Sequence, residues 1–277
     1  MRREHIEYKT MAQLRKIRKA ALIVNDIHTA LRQAAKPGVT TKQLDDVALR
    51  VLHDHGAKSN FMGYEGYPAQ TCISVNDVIV HGIPGDHVLE PGDILSFDCG
   101  CVLNGWHGDA AFTMVLPGGD EAVHERREWL CEVTRRSMWV GIAAMAHGAH
   151  VGDIGAAIDD YISGLSPEPG IVEDYVGHGI GTQMHQDPDV PNYRTYDRGA
   201  KLKPGMVLCI EPMITAGDQD NFTEPDEWTV RTEDGSDAAH WESEVALTDK
   251  GIWVMNLPDG GASELARFGI TPVPLGE

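Results

Sequence analysis

The chain has 277 residues, of which 42% are hydrophobic and 23% charged, a globular balance that excludes disordered, collagen-like and fibrous proteins. At about 150 residues per domain it makes one large domain or two small ones. Lys and Arg total 23 against 42 Asp and Glu, a formal charge of −19; a surface of that sign repels phosphate backbones, so nucleic acid is excluded as the main partner.

Residues 1–20 depart from this balance, with seven basic side chains (Arg2, Arg3, Lys9, Arg15, Lys16, Arg18, Lys19) against two acids. They read as a solvated helix face, with a weak contact to an anionic surface as the lesser reading. Leu14, Ile17, Ala21, Val24 and Leu31 recur at the three-to-four spacing of one helix face, which predicts a helix over 10–35 that breaks at Pro37-Gly38. Thr40-x-x-Gln43 is a capping box opening a second helix, which carries Leu44, Val47, Val51 and Leu52 and stops at Gly56. Short β-type runs follow at 71–75, 78–81, 94–103 and 106–115. Helical patterns return over 121–146 and 153–165, and strand-like runs again at 172–176, 207–214, 228–232 and 241–247.

No stretch approaches the roughly 18 apolar residues of a membrane span. The N-terminus lacks the apolar core and cleavage site of a signal peptide. Cys72, Cys99, Cys101, Cys131 and Cys209 form no C-x-x-C pair, which argues against a disulfide framework or a zinc ribbon. The chain reads as soluble, reduced and cytoplasmic.

The order of elements is duplicated, and so are residues. The stretch from Leu89 through Pro91-Gly92 to Asp98 lies over that from Leu202 through Pro204-Gly205 to Glu211 at a constant offset of 113, ending carboxylate over carboxylate. A His-Gly-Ile element precedes each, at His81-Gly82-Ile83 and His178-Gly179-Ile180. Two related α/β halves packed as one domain, with antiparallel strands joined by short turns, account for this.

The most informative segment is 94–115. Asn104-Gly105 is a two-residue hairpin turn, which sets Phe97 opposite Phe112 and Asp98 opposite Ala111. Every apolar residue then lies on one face. Asp98 and Asp109 lie on the other, diagonal neighbours roughly 7–8 Å apart. Such a pair is a solvated surface, a shared-proton acid/base pair or a metal pair, since ions roughly 3.5–4 Å apart suit carboxylates so placed. Its neighbours Ser96, Gly100, Ala111 and Thr113 are not those of a solvated face. Further donors are Glu211, His178 among the small residues of Gly177-His178-Gly179-Ile180-Gly181, and Glu242 and Glu244, which alternate on one strand face. Carboxylates with one imidazole suit six-coordinate Mn, Fe or Co, or Zn, better than a thiolate site.

The ordered set His81-Gly82-Ile83-Pro84, Asp98, Asp109 eleven positions on, Gly177 to Gly181, Ile210-Glu211-Pro212-Met213 and Glu242 resembles the type I methionine aminopeptidases over about residues 10–251. The resemblance implies the pita-bread fold, an α/β (α+β) pseudo-twofold domain around a dinuclear metal site. It divides the chain into an arm (1–9), a catalytic domain (10–257, halves 10–118 and 119–257) and a tail (258–277) with no assigned role. It implies Asp98, Asp109, His178, Glu211 and Glu242 as ligands of two divalent ions, with Glu242 chosen over Glu244 on the resemblance alone. His81 and His185 match its two further histidines. Tyr64, Tyr67, Cys72, Met184 and Trp228 would wall a methionine pocket, where apolar, polarisable groups suit a thioether. Met184 stands where many members carry Phe, and Phe61 where Cys is frequent. The chain also lacks the Cys/His-rich N-terminal extension of some eukaryotic members, which points to a bacterial-type enzyme.

The expected activity is removal of the initiator methionine from nascent polypeptides, favouring a small second residue, by a monomer whose basic N-terminus is a candidate ribosome contact. Glu211 would take a proton from the attacking water and deliver it to the departing amine. His185 would hydrogen-bond the tetrahedral oxyanion, and His81 would sit near the scissile nitrogen. The competing readings are an Xaa-Pro aminopeptidase or prolidase, which typically carries a further N-terminal domain, and a scaffold that has lost catalysis. There is no G-x-S-x-G, H-E-x-x-H or P-loop, and the run Gly177-x-Gly179-x-Gly181 has Thr182 where a dinucleotide fingerprint needs its last glycine.

Overall fold

A computed structural model describes residues 5–276. Residues 1–4 of the arm, with Arg2 and Arg3 of the basic run, and Glu277 lie outside the described residues. Helix α1 (Met11–Ala34) opens at Thr10, whose hydroxyl accepts from the Gln13 amide while Gln13 Oε1 accepts from the Thr10 amide at 2.8 Å. Helix α2 (Thr41–Asp54) opens on the same box at Thr40 and Gln43. Each box satisfies two amides that helix geometry leaves bare, and the first was as legible in the sequence as the second.

Strands β1 (Lys58–Ser59), β2 (Thr71–Val75), β3 (Val78–Val80), β4 (Ile94–Leu103) and β5 (Trp106–Val115) follow. Next come α3 (Glu121–His147), α4 (Gly152–Ile162), β6 (Gly170–Ile171), β7 (Gly177–Gly179), β8 (Gln186–Val190), β9 (Val207–Ile210) and β10 (Met213–Thr215). The chain continues through β11 (Asn221–Thr223), β12 (Val230–Thr232), β13 (Ala238–His240), β14 (Ser243–Thr248), β15 (Gly251–Val254) and the short α5 (Ala262–Leu265). Strand β4 pairs with β5 on one side and with β1 and β2 on the other; β9 lies between β7 and β14 in the sheet β15-β14-β9-β7-β8. All these pairings are antiparallel. The turns that launch β4 and β9 repeat as well: Gly92 and Gly205 have φ of 87° and 93°, the left-handed backbone glycine adopts at little cost. Duplication thus holds for the turn and the start of the central strand, but Asp98 falls inside β4, which runs on to Leu103, whereas Glu211 stands just past the end of β9.

It does not hold for the two His-Gly-Ile elements. His178 and Gly179 belong to β7, with Gly179 opposite Leu208, whereas His81 follows β3 with φ of 58°. Other sequence-predicted runs shorten for identifiable reasons. The run 207–214 splits after Ile210 because Pro212 brings no N–H to the ladder. Residues 228–229 leave β12 because the Trp228 and Thr229 amides donate to Asp226 Oδ1 at 2.9 and 2.8 Å. No strand forms over 172–176; the pairing lies at β6, and Tyr175 and Val176 line a cavity instead. Trp241 and Glu242 precede β14, with Glu242 pairing through its backbone to Ala111 of β5 (2.9 and 3.3 Å).

The hairpin register is the one read from the turn: Phe97 faces Phe112, and Gly100 faces Asp109. Its apolar face, with Leu95, Phe97, Cys99, Ala110 and Phe112, packs under Ile23, Val24 and Ile27 of α1 and Leu44 and Ala48 of α2. Helices α3 and α4 cover the second sheet in the same way, Ile142, Ile154 and Ile158 meeting Leu208, Ile210 and Val245. Each sheet therefore buries one face under its own helix pair and leaves the other for the seam between halves.

Among the described residues the basic run is only in part a free surface: Lys16 and Lys19 are exposed. Lys9 is buried, and Arg18 donates to the carbonyls of Leu257 and Pro258 at 2.7 and 3.1 Å. Arg15 donates to Leu275, which is buried beside Leu14 and Ile17. All five cysteines are buried and unbridged. Among the described residues no helix is long and apolar enough to cross a membrane.

Candidate metal centre

A cavity of about 430 Å³ opens at the seam, and Asp98, Asp109, His178, Glu211 and Glu242 all line it. Asp98 and Asp109 come from the inner face of the first hairpin and Glu211 from the break after β9. Backbone pairing with Ala111 carries Glu242 to the same place. Glu244, two residues on, points behind the cavity, where its Oε2 accepts from the Asp109 amide at 3.3 Å. Carboxylate oxygens of Asp98, Asp109 and Glu242 lie within 4.8 Å of one another.

His178 sits where the chain passes very close to its neighbours. A Cβ at Gly177 would collide with the Cys209 carbonyl and one at Gly179 with the Asp187 carbonyl. The small residues around His178 therefore serve close backbone approach as well as access. Its Nδ1 lies 3.0 Å from the Gly179 carbonyl, so the ring proton belongs there and Nε2 presents a lone pair to the cavity. That Nε2 is 3.5 Å from Glu211 Oε1.

Asp98 Oδ1, Asp109 Oδ1 and Glu242 Oε1 are buried without a hydrogen-bond partner among the described residues. Burial pushes Asp98 up to about 6, and burial with mutual repulsion holds Asp109, Glu211 and Glu242 well above the usual carboxylate range. Burial also depresses His178 to about 3, so its lone pair is free. Four acids and the free Nε2 of His178 in one cavity are the donor chemistry of a divalent-cation site.

The remaining sequence-predicted residues line the same cavity. His81, depressed to about 4 chiefly by burial, stands edge-on to Tyr175 and Trp228 with ring centres 5.6 and 6.0 Å apart. His185 lies edge-on to His178 at 4.5 Å, and its Nδ1 is 3.0 Å from the Tyr64 hydroxyl. Phe61, Tyr67, Cys72 and Met184 form one apolar cluster against Trp228. The Tyr67 hydroxyl lies 3.0 and 3.1 Å from the carbonyls of Thr71 and Gly82, which fixes that wall.

Sequence reasoning missed His240, whose Nε2 lies 3.6 Å from Glu211 Oε2, and Cys209, whose sulfur lies near His178 and Glu242. It also missed Tyr175. Cys209 was within reach, being the residue before Ile210-Glu211. His240 had no such signal, because its three-residue strand shows no alternation to assign a face.

The profile of metallopeptidase family M24 matches residues 15–249. Methionine aminopeptidase 1 of Mycobacterium tuberculosis is 44% identical over 260 residues, covering 92% of this chain and 96% of its own length. Methionine aminopeptidase 1 of Bacillus subtilis is 42% identical over 247 residues, covering 89% and 97%. The crystal structure of methionine aminopeptidase from Rickettsia prowazekii superposes with a TM-score of 0.86 at 34% identity, covering 91% of this chain and all of that one. Prolidase from Pyrococcus furiosus, at 20% identity and a TM-score of 0.69, shares the fold.

Proposed function

The chain belongs to metallopeptidase family M24, among its methionine aminopeptidases, and from that membership we propose that it removes the N-terminal methionine of nascent polypeptides by amide hydrolysis. Its fold is the pita-bread arrangement, and the protein is a hydrolase. The observation that carries the proposal is one cavity holding both a cation-demanding acid cluster and an apolar wall of Phe61, Tyr67, Cys72, Met184 and Trp228. The wall suits an unbranched thioether.

Asp98, Asp109, His178, Glu211 and Glu242 would hold two divalent ions, of Mn, Fe, Co or Zn. When bound, such ions polarise a carbonyl and lower the pKa of water to near 7. Glu211, which lines the cavity, takes the proton of the attacking water and returns it to the departing amine. His185 donates a hydrogen bond to the tetrahedral oxygen from Nε2, its Nδ1 being engaged by Tyr64. His81, neutral at physiological pH because burial depresses it, contacts the scissile nitrogen or the backbone beyond it. The crowded cavity favours a small second residue. Cytoplasmic action as a monomer fits five buried, unbridged cysteines and a domain whose arm and tail pack onto its own surface. Of the basic run, exposed Lys16 and Lys19 are available for a ribosome contact.

The test is release of free methionine from Met-Ala-Ser before and after chelation, with each metal added back and bound metal counted per chain. Expected are loss on chelation, recovery with a divalent ion and two ions per chain. Preferential cleavage of Xaa-Pro dipeptides, or release that survives chelation, overturns the reading.

A further inference from the structure

We propose that His240 is a positioning residue for Glu211, its Nε2–H fixing the carboxylate oxygen that faces away from His178. The inference deepens the metallopeptidase reading above and rests on it. Among the described residues the cationic or imidazole groups within 4 Å of the Glu211 carboxylate are two, His178 Nε2 at 3.5 Å from Oε1 and His240 Nε2 at 3.6 Å from Oε2. They are not equivalent. His178 gives its ring proton to the Gly179 carbonyl, so it has no proton to offer Glu211. His240 Nε2 is buried and has no hydrogen-bond partner among the described residues, and a bare lone pair there would face a carboxylate oxygen. The Nε2–H tautomer removes that repulsion, and at 3.6 Å the pair stands just beyond hydrogen-bond length.

The place of His240 is built rather than incidental. The side chain is 1% exposed. Its amide donates to Ser96 Oγ at 3.1 Å and to Thr113 Oγ1 at 3.0 Å, and the Thr113 hydroxyl lies 2.7 Å from its carbonyl. Ser96 and Thr113, themselves 2.9 Å apart, stand on the hairpin face that carries Asp98 and Asp109. The hydroxyls on that face therefore anchor the His240 backbone, and the ring is delivered to Glu211 by the first half of the chain. The Glu211 carbonyl, for its part, accepts from Asn192 Nδ2 at 3.1 Å. Backbone and side chain of Glu211 are thus both held, and Oε1 is left turned toward His178. A metal ligand is commonly oriented by such an outer partner.

The experiment compares wild type, His240→Gln, which keeps a donor, and His240→Leu, which has similar bulk and none. Manganese affinity is read by calorimetry, kcat and KM for Met-Ala-Ser by methionine release, and folding by thermal unfolding. The Leu variant is expected to bind manganese about 10- to 100-fold more weakly, with kcat reduced and KM little changed, and Gln should recover most of both. A folded Leu variant with wild-type affinity overturns the proposal, as does a folded Gln variant no better than Leu. Should Leu not fold, nitrogen NMR of histidine-labelled wild type decides: an Nε2-protonated His240 supports the clamp, and an Nδ1-protonated ring overturns it. A second imidazole nitrogen coupled to bound cobalt overturns it too, since His240 would then be a ligand. Wild type that binds manganese without releasing methionine refutes the aminopeptidase reading and leaves the affinity comparison to judge His240.

Discussion

Glu244 lies directly behind Asp109, its Oε2 accepting from the Asp109 amide at 3.3 Å. Its carboxyl is fully buried, and burial raises its pKa well above the usual range despite Lys9 and Arg18 nearby. A neutral carboxyl in that position is imitated by an amide. Glu244→Gln is therefore expected to change stability by less than about 1 kcal/mol and leave methionine release within a few-fold. Glu242→Gln, two residues away, should lose metal and activity together. Metal analysis and the peptide assay on both variants check the contrast.

Glu211→Gln removes the group proposed to carry the proton. The expected loss in turnover is about 10²- to 10⁴-fold, with less metal retained. Near-normal release of methionine from a Met-Ala peptide would refute the assignment.

Asp98 is raised to about 6 from an ordinary value of 3.8. In metal-free protein it therefore holds its proton more tightly folded than unfolded. Its contribution to stability is complete below about pH 4 and lost as pH rises through 6. His81 and His178, depressed to about 4 and 3, act in the opposite sense, their contribution being lost as pH falls from 6.5 toward those values. Asp98→Asn isolates the first effect. Chelated variant and wild type should converge near pH 4, and the variant should gain on the order of 2 kcal/mol over wild type at pH 7.5. Urea unfolding across that range reads the difference.

Met184 is buried in the apolar wall against which Trp228 packs. Met184→Ala should raise KM for Met-Ala-Ser about tenfold or more while kcat moves less than threefold. Steady-state kinetics separate the two.

Phe97 and Phe112 stack with ring centres 5.0 Å apart beneath α1, each almost fully buried. Phe97→Ala should cost about 3–5 kcal/mol in chemical denaturation.

The legible and illegible parts of this molecule divide by range. Asp98 and Asp109 were readable as a same-face pair because the Asn104-Gly105 turn sets register, and a one-residue slip would put Phe97 and Phe112 on the wrong face. The correspondence of Asp98 with Glu211 was readable because each follows a Pro-Gly turn. Glu242 and Glu244 share parity, so periodicity could not separate them; the pairing of Glu242 with Ala111, across more than a hundred residues, does. His240 meets Glu211 from a three-residue strand, and Tyr175 reaches the cavity from an irregular segment; in neither does a local pattern aim the side chain. The basic run was legible only in part: Lys16 and Lys19 are exposed, but Arg15 and Arg18 find their acceptors near the far end of the chain.

Two of the proposed donors, Asp98 and Asp109, belong to the first half of the chain, and His178, Glu211 and Glu242 to the second. Any cation seated among them is a rivet driven through both plates. Mass action then ties cohesion of the two plates to ion supply: occupancy at a thousandfold excess over Kd adds about 4 kcal/mol against unfolding. Starvation for the cation would loosen the protein as well as silence it.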